Sequence, residues 1–128
     1  MSLVTNLAKK VLVMGLTYKG DIDDIRESPA LDIYTKLSAE SNFQVTAYDP
    51  HVKADFIEQN LEKATEKADL VLILTDHSEF SKLQPVDFEN TNNAIIIDTK
   101  NIAKECHGYN GYYHLGNISE AGQAFIRV

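Results

Sequence analysis

One aromatic side chain and two cations fall inside a single polar run, Gly15-Leu16-Thr17-Tyr18-Lys19-Gly20-Asp21-Ile22-Asp23-Asp24-Ile25-Arg26-Glu27-Ser28. Lys19 offers a compact positive charge for a phosphate or carboxylate, and Tyr18 beside it can pack on a sugar or base. Arg26 offers a planar fork suited to the same anions. The alternatives are a surface lysine, a half-buried tyrosine and a helix-entry salt bridge at Arg26. Asp23, Asp24 and Glu27 form an expected ion-pair network that holds the run and orients Arg26, or else favour the dipole of the next helix. A metal site from Asp21, Asp23 and Asp24 is not expected, because the glycine and distant glutamate of a calcium loop are missing. Lys100, in Asp98-Thr99-Lys100-Asn101, is a second candidate cation, with a solvated loop lysine as its alternative.

Other reactive residues carry less. Thr75-Asp76-His77 invites a catalytic Asp–His pair, but no nucleophile elbow accompanies it, and a turn with a helix cap is the favoured reading. Cys106 has basic neighbours in sequence, yet residues adjacent in sequence rarely activate a thiol. His51, His77, His107 and His114 show no metal-ligand spacing. Neither a catalytic residue nor a metal ligand is therefore assigned.

The elements that position these residues follow from apolar runs. Val11–Leu16 and Leu70–Leu74 are continuous runs, as expected of strands buried on both faces. Phe43–Tyr48 alternates and stops at Asp49-Pro50, and Ala94–Ile97 makes a fourth strand. A last short strand is expected at Tyr112–Leu115. Tyr109, Tyr112 and Tyr113 then form a packed terminal hairpin, an edge strand or a docking surface. Ser28 caps a helix with Pro29 at its first position, and Ala30, Ile33, Tyr34 and Leu37 make its apolar face. A second helix is expected over about Val52–Ala68, and a short one at Phe80–Leu83 stopped by Pro85. Strands alternating with helices predict an α/β, Rossmann-like three-layer domain with a mainly parallel sheet. The polar ends Tyr18-Lys19, Asp76-His77 and Asp98-Lys100 then share one sheet edge, where such folds bind ligands. The first loop lacks the G-x-G-x-x-G fingerprint and the P-loop ending.

The 128 residues suffice for one core without disulfides. A formal net charge of −7 argues against nucleic acid as a partner. No apolar stretch reaches the roughly 20 residues of a membrane span. One cysteine suits a reducing cytoplasm. Met1-Ser2-Leu3 reads as a cloning remnant, which makes residues 1–9 that remnant plus a cut linker and residues 10–128 an excised domain.

Gly-Leu-Thr-Tyr-Lys-Gly-Asp-Ile-Asp-Asp-Ile-Arg-Glu-Ser-Pro-Ala (15–30) closely resembles a signature of the UDP-glucose/GDP-mannose dehydrogenase family, where it opens the C-terminal, UDP-binding domain. Ala47-Tyr48-Asp49-Pro50, Ala68-Asp69, Thr75-Asp76-His77-Ser78-Glu79-Phe80 and Ile97-Asp98-Thr99-Lys100-Asn101 match in order, so the likeness covers about residues 10–116. The resemblance implies an enzyme of two Rossmann-like domains joined by a long helix. It oxidises a nucleotide-sugar C6 alcohol to a carboxylate in two NAD-dependent steps through a cysteine thioester, in polysaccharide biosynthesis. NAD would sit mainly on an N-terminal domain absent from this chain, and the central helix would make the enzyme a homodimer or higher. Tyr18 and Lys19 would contact the UDP-sugar, and Arg26 would reach the NAD. Lys100 stands near the position where the family's turn carries a substrate-binding arginine. The family's cysteine motif has no counterpart here, so this chain alone would be inactive. Ile22, where glucose-oxidising members often have threonine, leans toward a UDP-N-acetylhexosamine such as UDP-N-acetylmannosamine. UDP-N-acetylglucosamine, UDP-glucose and GDP-mannose remain open. The contrasting reading is a stand-alone, non-catalytic α/β module that binds a nucleotide or partner; a hydrolase using Asp76-His77 ranks last.

Overall fold

A computed structural model describes residues 9–114. Its first strand, β1 (Lys9–Met14), begins one residue inside the expected linker and buries Val11, Leu12, Val13 and Met14 completely. It ends two residues before Leu16 because the chain turns at Gly15, where φ is +92°. A Cβ there would lie 2.5 Å from the Thr75 Cβ, so the sharp turn and the close approach both require glycine.

Helix α1 (Pro29–Ser38) starts where expected. The Ser28 hydroxyl accepts from the Leu31 N–H at 3.3 Å, and Pro29 needs no partner at the first position. Ala30 is buried and Tyr34 and Leu37 pack against the same cluster, whereas Ile33 stays 38% exposed at the margin of that face.

The expected helix over Val52–Ala68 is not formed as one element. After β2 (Phe43–Tyr48) the chain runs irregularly to a two-residue strand, β3 (Ile57–Glu58), which pairs with Ala47 and Tyr48. Only Leu61–Thr65 is helical (α2), begun by the Asn60 side chain accepting from the Lys63 N–H at 3.1 Å. Pairing with the outer edge of β2 overrides the local helical preference of Val52–Gln59.

Beyond β4 (Leu70–Ile73) come two 3₁₀ turns, Ser78–Lys82 and Pro85–Phe88. Pro85 thus begins a second turn as well as ending the first; the Gln84 N–H donates to the Asp87 carboxylate at 2.7 Å. The chain then forms β5 (Ile95–Asp98), a 3₁₀ turn at Lys104–Cys106, and β6 (Tyr112–His114). Because β6 is parallel to β5, its tyrosines form an edge strand, and no hairpin. Leu115, expected in this strand, lies outside the described residues.

The six strands form one parallel sheet in the order β3-β2-β1-β4-β5-β6. Alternate residues of β1 feed two cores: Leu12 and Met14 join Ile73, Phe80, Phe88 and Ile96, while Val11 and Val13 join Ala30, Ala47 and Val52. The α/β, Rossmann-like expectation holds. The strand order reverses between β1 and β4, which puts the crevice of such a sheet at their carboxyl ends. No helix among the described residues is long and apolar enough to cross a membrane.

Candidate functional site

The 14 residues from Gly15 to Ser28 leave β1 and return to α1 across this crevice. Their anchor is Asp49, immediately after β2 and fully buried. One carboxylate oxygen accepts from the Leu16 N–H at 2.8 Å and faces His77 Nε2 at 3.0 Å; the other accepts from the His51 N–H at 2.8 Å. Burial pushes this carboxyl up, but the His77 bond and the two backbone N–H groups outweigh it and hold the pKa below the ordinary value. His77, also fully buried, accepts the Asp21 N–H at Nδ1 over 2.9 Å. Asp21 has φ of +62° and accepts from both the N–H and the hydroxyl of Ser78. Between them Gly20 lies so close to β4's loop that a Cβ would come 2.4 Å from the Asp76 carbonyl oxygen.

Held this way, the loop borders an open cleft of about 710 Å³ lined by Tyr18, Lys19, Ile22, Asp24, Arg26 and Glu27. Three of the four expected binding residues therefore share one cavity. Tyr18 is 63% exposed, so its ring is accessible from the cleft. Arg26 is paired with Asp24 through two side-chain bonds of 3.0 Å each. That fork holds the Asp24 carboxyl down at about 2, so the pair stays ionised at neutral pH. The expected network thus reduces to Asp24 orienting Arg26; Asp23 lines a separate cleft with Ile25, His51 and Lys53. Among the described residues Lys19 has no carboxylate partner.

Lys100 is exposed but does not line the cleft. It follows β5, one strand further from the crevice, and its N–H donates to the Asp98 carboxylate at 3.1 Å. Asp98 repeats the design of Asp49: a buried carboxylate at a strand end, accepting also from the Ala103 N–H at 2.8 Å and the Tyr112 hydroxyl at 2.6 Å.

Asp49, His51 and His77 are the residues to which sequence reasoning gave no part in shaping the loop. His77 occupies the cap position before a 3₁₀ turn, as the turn-and-cap reading has it, but makes no cap bond with its side chain. Its ring instead joins the ends of β1, β2 and β4. The available signal was the placement of Asp49 and His77 at the ends of two strands that both flank β1 in the sheet. His51 packs against His77 with ring centroids 4.4 Å apart and the planes tilted by 34°, and it meets Glu79 at 2.9 Å and Asp21 at 3.8 Å. Ligand atoms of Asp21, His51 and His77 lie within 4.8 Å of one another. Both His77 nitrogens are already engaged, one by the Asp21 N–H and one by Asp49, so in this arrangement the groups form a latch. Cys106 is buried, donates weakly to the Leu83 carbonyl at 3.4 Å, and burial pushes its thiol up to about 11. That is the opposite of an activated nucleophile.

The family model for the UDP-glucose/GDP-mannose dehydrogenase family, UDP binding domain, matches residues 12–105, which includes the whole of this loop. The chain belongs to that family. It is 43% identical over 99 residues to the UDP-N-acetyl-D-mannosamine dehydrogenase of Methanocaldococcus jannaschii, covering 73% of this chain and 23% of that protein. The structure is similar to the UDP-N-acetyl-mannosamine dehydrogenase of Staphylococcus aureus, with a TM-score of 0.84 and 49% identity over 94% of this chain and 29% of that one. The UDP-D-ManNAc dehydrogenase of Pyrococcus horikoshii has a TM-score of 0.74 and 31% identity over 90% of this chain and 30% of that one. The chain thus spans about a quarter of the length of these dehydrogenases and matches their C-terminal, UDP-binding domain.

Proposed function

We propose that this chain is the UDP-sugar-binding domain of an NAD-dependent nucleotide-sugar 6-dehydrogenase whose substrate is UDP-N-acetylmannosamine. The observation that carries the reading is the cleft at the β1–β4 switch, where Tyr18, Lys19 and Arg26 meet within the residues matched by the family's UDP-binding domain. Tyr18 packs on the sugar or base. Lys19, the cleft cation without a carboxylate partner, pairs with the pyrophosphate. Lys100, outside the cleft lining at the end of β5, would reach only a part of the ligand that extends past the cleft. The substrate assignment follows the names of the similar dehydrogenases and the presence of Ile22 in the cleft lining.

NAD would supply the hydride acceptor in the whole enzyme. The described residues after β1 do not build a dinucleotide site of the usual kind. The first loop is a 14-residue excursion in place of a tight glycine turn, Pro29 has no N–H, and the Leu31 N–H is taken by Ser28. Arg26, with a side chain 86% exposed, instead faces outward toward a dinucleotide held by an N-terminal domain. That domain and a central dimer-forming helix would precede residues 10–128, in an enzyme of the cytoplasm.

Calorimetric titration of the chain with UDP-N-acetylmannosamine tests the reading. Wild type binds, and Lys19→Ala weakens binding about tenfold or more, the scale of one lost charge-assisted hydrogen bond. Undiminished binding by the Lys19→Ala chain would overturn the role given to Lys19.

A further inference from the structure

Asp49 and His77 are fully buried and line none of the cleft. Burying a carboxylate and an imidazole is costly unless each polar atom has a partner. Their partners here are specific. Asp49 holds the Leu16 N–H at 2.8 Å, and His77 holds the Asp21 N–H at 2.9 Å. Those two backbone groups bracket Thr17-Tyr18-Lys19-Gly20, the span that carries the proposed substrate contacts. The two side chains are joined by the 3.0 Å contact between His77 Nε2 and Asp49 Oδ2, so one linked unit grips both ends of that span.

The partners also set the proton. An N–H from Asp21 needs a lone pair, so Nδ1 of His77 is the acceptor. The ring proton is then on Nε2, which donates to Asp49. An imidazolium would set an Nδ1–H against the Asp21 N–H.

We propose that Asp49 and His77 are positioning residues for UDP-sugar recognition: through a neutral, Nε2-protonated His77 they hold Thr17–Gly20 in its binding shape before the ligand arrives. The inference rests on the Tyr18–Lys19 cleft being the UDP-sugar site. A span preformed in this way lowers the apparent dissociation constant, because no fraction of the protein is lost to other loop shapes.

The test combines imidazole ¹⁵N spectra and loop amide exchange with calorimetry on His77→Phe and His77→Gln. At neutral pH the wild-type His77 signals should show the Nε2–H form. His77→Phe removes both bonds; binding of UDP-N-acetylmannosamine should weaken about tenfold or more, and the Thr17–Asp21 amides should lose protection. Glutamine offers a carbonyl acceptor for the Asp21 N–H and an amide NH2 that can donate to Asp49, so His77→Gln should recover affinity to within about threefold. Wild-type affinity in the His77→Phe chain, or an Nδ1–H or imidazolium ring in wild type, would overturn the proposal. Should the His77→Phe chain fail to fold, the wild-type imidazole spectrum decides alone. A wild-type chain that binds no UDP-N-acetylmannosamine contradicts the functional reading instead; loop protection in wild type against His77→Phe, measured without ligand, then decides the positioning role.

Discussion

Lys19 and Arg26 carry the same charge and line the same cleft, but their surroundings give them different work. Arg26 is committed to Asp24 by two bonds of 3.0 Å each, while Lys19 has no carboxylate partner among the described residues. With Asp24 and Glu27 also lining the cleft, the local formal charge is close to balanced, so binding an anion depends on where Lys19 is aimed. At the latch, His51 and Glu79 share a bond of 2.9 Å that raises the His51 pKa above 6.5 and lowers that of Glu79 below 4.5. The His51 contribution is present in full below its ordinary pKa and is lost as pH rises through the raised one. The Glu79 contribution is present above its ordinary pKa and is lost as pH falls through the lowered one. Both groups are partly exposed, so the effect is small: thermal melts should fall by a few degrees at most between about pH 6 and about pH 8.5. His51→Gln should flatten that slope. A wild-type slope that survives the substitution would contradict this assignment.

At the scale of elements, the loop's shape depends on two local devices. Gly20→Ala places a Cβ 2.4 Å from the Asp76 carbonyl oxygen, where backbone must move. It should destabilise the chain by about 1–3 kcal/mol in denaturant titrations. Ser28→Ala removes the α1 cap bond and should cost about 1 kcal/mol. If Gly20→Ala is no more damaging than Ser28→Ala, the close packing of the two loops is not what holds the site.

β1, β4 and β5 were legible as unbroken apolar runs, β2 as an alternating run stopped at Asp49-Pro50, and α1 because Ser28-Pro29 is a local signal. β3 was not, since two residues become a strand only by pairing with Ala47 and Tyr48. Of the 3₁₀ turns, Ser78–Lys82 was anticipated as the short helix at Phe80–Leu83 stopped by Pro85, whereas Pro85–Phe88 and Lys104–Cys106 are too short to carry a period. The site divides in the same way. Tyr18, Lys19 and Arg26 announce themselves as an aromatic and two cations in one strand-end loop. The Asp49–His77 pair, 28 residues apart, exists only after the sheet puts β2 and β4 on either side of β1.

As a whole molecule, the chain is a parallel α/β domain with an open cleft at its strand reversal, and it corresponds to about a quarter of the dehydrogenases it matches. Its net charge of −7 leaves no broad attraction for an anionic ligand, so the proposed UDP-sugar recognition rests on the loop's own cations. The most direct measurement is chemical-shift mapping of ¹⁵N-labelled chain titrated with UDP-N-acetylmannosamine. The expected result is saturable shifts centred on the Tyr18, Lys19 and Ile22 amides, with little change in the groove lined by Lys53, Ala54, Asp55 and Gln59. Shifts centred on that groove, or none at all, would contradict the assignment of the β1 loop as the UDP-sugar site.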